Sequence, residues 1–311
     1  MKKFILIILC ALFLFSGLFL MYACNSDDND AETSLASILK DLRTNGMNSW
    51  WDVLAVYNAN ENPIDYKGFD EILESLESAA TTLDRAAYVI VTNIAVAIGA
   101  DPEYFEEYEN YKRRLRTVLE NPDGGMINDY IFAYLAIMTS TIDVNWNDSA
   151  LREYFEAAQK ADGGFALSGS EGDADVTAFM IPVLKFLYDP SIWAVVPPEP
   201  VMAAYKPTEF LRNNINEDGT FTSWGSANAN STAVAISGLI SYFHPEHEII
   251  KQAQEGLSLF EKSGGYAFTQ GTERDNLSTA QGAIALGDLK NGMNVWIKLY
   301  LEMREAIDFI N

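Results

Sequence analysis

Cysteine is almost missing from this chain. Its 311 residues include two, Cys10 and Cys24, both near the N-terminus. The rest therefore has no disulfide, no thiolate metal ligand and no cysteine nucleophile. Histidine is equally scarce: His244 and His247 flank Pro245 in an expected loop. Basic residues are few, with 21 Lys and Arg against 44 Asp and Glu, a formal net charge of -23 and a pI of about 4.3. No basic surplus is present to neutralise phosphates, which argues against a nucleic-acid partner. An anionic bilayer surface would repel such a body. The period-two alternation of strands is also lacking. The acidity does not imply disorder, because 49% of the residues are hydrophobic and 12% aromatic, enough for a large core.

One long apolar run is present. Lys2 and Lys3 precede an uncharged stretch from Phe4 to Ala23, the pattern of an export signal. Met21-Tyr22-Ala23-Cys24 resembles a bacterial lipobox, which implies lipidation of Cys24 after cleavage; the alternatives are an uncleaved anchor, since the run nearly spans a bilayer, and ordinary secretion. Residues 1–23 are thus expected to be a lipoprotein-type signal peptide, 24–34 an acidic tether and 35–311 a single domain. Removing the leader leaves a charge of -25. The expected location is extracytoplasmic, with the membrane as a partner through an N-terminal lipid or anchor.

Apolar periodicity predicts helices over 33–43, 49–59, 69–80, 84–99, 103–120, 128–141, 148–160, 174–188, 199–214, 229–243, 246–261, 276–289 and 293–310. They alternate in kind. Segment 84–99 is apolar almost all round, whereas 103–120 is charged on most faces, so the first must be surrounded and the second can face water. That order suggests repeated outer–inner hairpins. Pro182 falls inside one inner segment and should kink it near Ala178. The dipeptide Pro197-Pro198 reads as a linker between hairpins.

An internal repeat supports the hairpins. Asp162-Gly163-Gly164-Phe165 leads to Asp173-Ala174-Asp175-Val176-Thr177-Ala178. Asp218-Gly219-Thr220-Phe221 leads to Asn228-Ala229-Asn230-Ser231-Thr232-Ala233, and Gly264-Gly265-Tyr266 to Asp275-Asn276-Leu277-Ser278-Thr279-Ala280. The threonines lie 14, 13 and 15 residues after the first glycine, and 55 and 47 residues apart. A weaker copy joins Asp123-Gly124-Gly125 to Asn128-Asp129. The glycines permit the φ > 0 turn that ends an outer helix, and the Asp or Asn caps the next inner one. A tandem unit of this size marks a stacked helical array.

The Gly-Gly-aromatic turn followed by Asp-x-Asp-x-Thr-Ala resembles the squalene-cyclase and prenyltransferase repeat, most clearly over about 120–290. The resemblance implies an all-α fold, a terpenoid cyclase-like α/α toroid of about six helical hairpins, with a funnel lined by inner-helix N-termini. Prenyltransferases of this kind hold zinc through Asp, Cys and His, and the related thioester domains need a cysteine. The body has no cysteine, so neither activity is expected, and no cofactor or metal is expected either.

Three functions remain. The first is a ligand-binding or scaffold module without catalysis, whose partner is a small ligand or a surface protein. Trp51, Asp52, Asn128, Asp129, Trp224, Asn230 and Asn276 stand near inner-helix starts and are its candidate contacts; Trp50 and Tyr266 are further stacking aromatics. The second is a divergent class II terpene-cyclase-like enzyme. There the resemblance implies Asp175 as the acid that protonates an alkene and Asp173 as its helper, but Val176 replaces the last aspartate of the motif. The third is a carbohydrate-active enzyme using Asp173/Asp175 or Asp129/Asp52 as acid and base. The simplest account of Asp173 and Asp175 is capping, since Asn228/Asn230 and Asp275/Leu277 hold the same places in the sister repeats.

Overall fold

The structure is a computed structural model that describes residues 26–122, 125–140, 148–188 and 202–310. Cys24, the leader, Asp123, Gly124 and Pro197-Pro198 lie outside the described residues. The described chain is mostly helical, with a few short strands. Its α-helices are α1 (Ser26–Asn45), α2 (Trp50–Asn58), α3 (Phe69–Glu77), α4 (Thr82–Ala97), α5 (Tyr108–Glu120), α6 (Ile127–Met138), α7 (Ser149–Ala158), α8 (Ala174–Tyr188), α9 (Met202–Asn214), α10 (Ala229–Leu239), α11 (Glu248–Ser258), α12 (Asn276–Asn291) and α13 (Val295–Ile310). Among the described residues, none of these helices is long and apolar enough to cross a membrane.

The helices divide as the hydrophobic pattern requires. Every residue of α4 from Ala86 to Val96 is buried, and so is every residue of α12 from Ser278 to Asp288. By contrast α3 buries Phe69 and Ile72, and α7 buries Leu151 and Phe155. The even-numbered helices α2 to α12 are thus the inner set. Each packs against the next: α2 on α4, α4 on α6, α6 on α8, α8 on α10 and α10 on α12, and α12 packs back on α2. The charged helices lie against this set, with α5 touching α4 and α6, and α11 touching α10. One contiguous apolar core runs from Leu35 to Met303.

The repeat motif is built from the same bonds each time. Asp173 caps α8 by accepting from the Val176 amide at 2.9 Å; Asn228 caps α10 through Ser231, and Asp275 caps α12 through Ser278. Each motif threonine then ties the inner helix to the turn before it. Thr177, Thr232 and Thr279 accept the amides of Phe165, Phe221 and Tyr266 at 2.8, 3.0 and 3.0 Å. Those three aromatics are buried, and each pairs antiparallel with its capping residue. This pairing produces the five short strands: β1 (Phe221–Ser223) with β2 (Ser226–Asn228), and β3 (Glu261–Lys262) with β4 (Gly265–Ala267) and β5 (Arg274–Asp275). Two or three residues are too short to show an alternating pattern, which is why periodicity does not reveal them.

Three details differ from the sequence expectation. Gly163, Gly219 and Gly264, the first glycine of each clear motif, do have positive φ, but they sit in turns several residues past the outer helices rather than at their ends. At Gly219 the reason for glycine is double: φ is +82°, and a Cβ would stand 1.9 Å from the Gln252 carbonyl oxygen of α11. Residues 26–34, expected as a tether, belong to α1. Once 35–45 is packed, extending a helix costs little, and acidic residues near its N-terminus favour the dipole. Finally, Tyr266 is buried beneath α12 and is no stacking surface.

The last helix, α13, closes the array at the C-terminal ends of the inner helices. Trp296 lies 6.4 Å from Phe132 of α6, Tyr300 lies 5.4 Å from Phe186 of α8, and Lys298 donates to the Tyr57 carbonyl of α2 at 2.8 Å. Next to it, Asp288 of α12 is fully buried and accepts from Asn58 at 2.8 Å. Burial pushes its carboxyl up to about 8, against the pull of Ser237, Asn58, the Val295 amide and the charge of Lys298.

Candidate functional site

The capped end of the inner helices gathers most of the residues that the sequence marks out. Asn128 precedes Phe132 by four residues, Asp175 precedes Phe179, Asn230 precedes Val234, and Leu277 precedes Gln281. Residues four apart share one helix face, so each pair forms an upper and a lower layer. The lower layer is aromatic. Trp51 stacks on Trp50 at 3.9 Å between ring centroids, and lies 5.7 Å from Phe132 and 5.8 Å from Phe179. Phe132 and Phe179 are themselves 5.1 Å apart. Trp50, Trp51 and Phe179 remain partly exposed, which leaves a shallow bowl with an aromatic floor.

Beneath that floor the interior is nearly full. A cavity bounded by Trp51, Phe179, Val234, Gln281 and Trp296, among others, has a volume of about 20 Å³. Such a space holds about one water molecule. It is far too small for a polyprenyl chain, and Asp175 is not on its wall. Gln281 does border it: the residue is 7% exposed and its Oε1 has no hydrogen-bond partner.

The acids have separate fates. Asp173 is a cap, its backbone amide bonded to the Phe165 carbonyl at 2.8 Å, and burial raises its carboxyl value, with the Asp175 charge adding to this. Asp52 is 4% exposed and completes a capping box with Ser49, accepting from the amides of Asn48 and Ser49. Burial raises the Tyr154 hydroxyl of α7, and the charge of Asp129 adds a smaller push upward. Asp175 alone joins the bowl. Burial holds its carboxyl above the ordinary value, while Ser231, Trp224 and Ser223 draw it back down.

Trp224 is the partner that reaches Asp175. Its Nε1–H donates to Asp175 Oδ2 at 3.2 Å. Trp224 and Gly225 form the two-residue connection between β1 and β2, with φ of +56° and +84°. Such turns favour Asn-Gly, and a bulky side chain in the left-handed region costs roughly 1–2 kcal/mol. Burial does not offset that cost, because Trp224 is 72% exposed. On the neighbouring helices, Asn230 accepts from Ser278 Oγ, Asn128 Oδ1 is buried without a partner, and Asn276 is exposed at the start of α12.

The structure therefore brings Trp51, Asn128, Asp175, Asn230 and Trp224 to one end, and engages Asp52 and Asp173 in capping. Sequence reasoning missed Phe132, Phe179 and Gln281 as floor residues. The signal was available: each stands four residues after a position at an inner-helix start. Comparison with known protein families finds no matching family model, and comparison with curated proteins finds no match.

Proposed function

We propose that this protein is an exported, membrane-anchored α/α toroid that binds a ligand or partner at its capped end and does not transform it. The toroid reading rests on the closed order of contacts from α2 through α12 back to α2. The binding reading rests on one observation above all: Trp224 is held in a left-handed conformation and pinned by Asp175, yet most of its surface faces solvent. Strain that the fold does not recover marks a functional position. The non-catalytic reading is supported by the acid pair, since Asp173 is engaged in capping and Asp175 stands outside the small cavity.

Two measurements test this reading. Mass spectrometry of a small-molecule panel incubated with the protein should find every compound unchanged. A product whose formation stops in Asp173→Asn or Asp175→Asn would instead make the protein an enzyme. For the anchor, Cys24→Ser should abolish incorporation of labelled palmitate and release the protein from membranes. Retention of both would contradict lipidation at Cys24.

A further inference from the structure

The bowl's chemistry narrows what it binds, on the reading that it is a binding site at all. Its floor offers the faces of Trp50, Trp51 and Phe179, and its side wall the exposed indole of Trp224. Three polar atoms left without partners there are oxygens: Gln281 Oε1, on a residue more than nine-tenths buried at the cavity wall, Asn128 Oδ1 one turn above Phe132, and Asp175 Oδ1. Asp175 supplies the one charge among the rim and floor residues named, and among the described residues no lysine or arginine borders the cavity. The Arg274 guanidinium, at the start of α12, is engaged by Asp41 at 2.9 Å.

Aromatic faces attract a cation through their quadrupole, and an anion is repelled by the same faces and by Asp175. A neutral sugar would stack on the indole but leave the charge of Asp175 unanswered. With the indole N–H already given to Asp175, Trp224 presents its apolar face rather than its donor. We propose that the bowl binds an alkylammonium group, seated on Trp51 and Phe179, walled by Trp224 and balanced by the Asp175 carboxylate. The cavity is too small to admit it, so the group rests at the floor, where the buried Gln281 oxygen adds a partial negative charge beneath.

The test titrates the mature protein with choline, with its uncharged isostere 3,3-dimethylbutan-1-ol, and with N-acetylglucosamine, reading tryptophan fluorescence. Choline should bind about tenfold more tightly than the alcohol. Asp175→Asn should reduce that preference several-fold, the remainder coming from the aromatic faces, and Trp224→Ala should weaken both, with melting curves confirming that each variant is folded. If either variant fails to fold, quenching of wild-type indoles by choline but not by the alcohol carries the test. Choline binding no tighter than the alcohol, or a preference unaltered in Asp175→Asn, overturns the inference. Sugar binding that Trp224→Ala removes, without choline binding, overturns the ligand class and leaves the binding-site reading intact. Binding of none of the three overturns the inference.

Discussion

The backbone amide of Phe165 donates to Thr177 Oγ1 at 2.8 Å, across twelve residues of chain, and the same bond recurs at Phe221–Thr232 and Tyr266–Thr279. The threonine of each repeat is thus a clasp between a buried aromatic turn and the inner helix behind it. All three threonines are buried, so removing the hydroxyl strands an amide away from water. Thr232→Val should lower unfolding stability by about 1–3 kcal/mol, and Thr232→Ser by clearly less. Denaturant titration checks this; equal losses in the two variants would mean that the hydrogen bond contributes nothing measurable.

Glycines in equivalent-looking turns should respond very differently to one methyl group. At Gly219 φ is positive and an added Cβ would meet a carbonyl oxygen at 1.9 Å, whereas Gly225 has positive φ and nothing within 4 Å. Gly225→Ala should cost about 1 kcal/mol, the backbone penalty alone. Gly219→Ala must also push α11 away and should cost several times more, seen as a lower melting temperature or loss of soluble protein.

Asp288 should make stability depend on pH in the direction opposite to most aspartates. Its native carboxyl value of about 8 lies above the ordinary 3.8, so between those values the folded state holds a proton that the unfolded state has released. Stability is then fully present below about pH 4 and falls as pH rises toward 8, by up to about 1.4 kcal/mol per pH unit from this group. The groups facing it are Asn58 of α2, Ser237 of α10, and the Val295 amide and Lys298 of α13; burial lowers the Lys298 value, and the charges of Glu302 and Asp288 raise it. Asp288→Asn should flatten the profile over this range, measured by chemical denaturation at a series of pH values. A profile unchanged by the substitution would show that Asp288 ionises freely in the native state.

Much of this arrangement was legible in the sequence because repetition exposes it. Asp173, Asn228 and Asp275 share a place that one catalytic residue would not need three times, and all three prove to be caps. The inner helices were legible because a segment such as 84–99 has no polar face to turn to water. What the sequence concealed depends on distant pairing. Segment 293–310 has the pattern of an ordinary amphipathic helix, and nothing local shows that Trp296 meets Phe132 or that Lys298 reaches Tyr57. The bowl was half legible: its rim residues stand in the repeat, while Phe132, Phe179 and Gln281 acquire meaning through the layer they form together.

Ligands are expected to meet the capped end and to leave it unchanged. The most direct test is one NMR titration of the ¹⁵N-labelled mature protein with choline, recording the indole resonances and the ligand's own signals in the same tube. Trp51 and Trp224 should shift with ligand concentration, Trp224→Ala should weaken the response, and the ligand spectrum should stay constant with time. Indole shifts confined to tryptophans outside the bowl, or ligand signals giving way to those of a product, would contradict it.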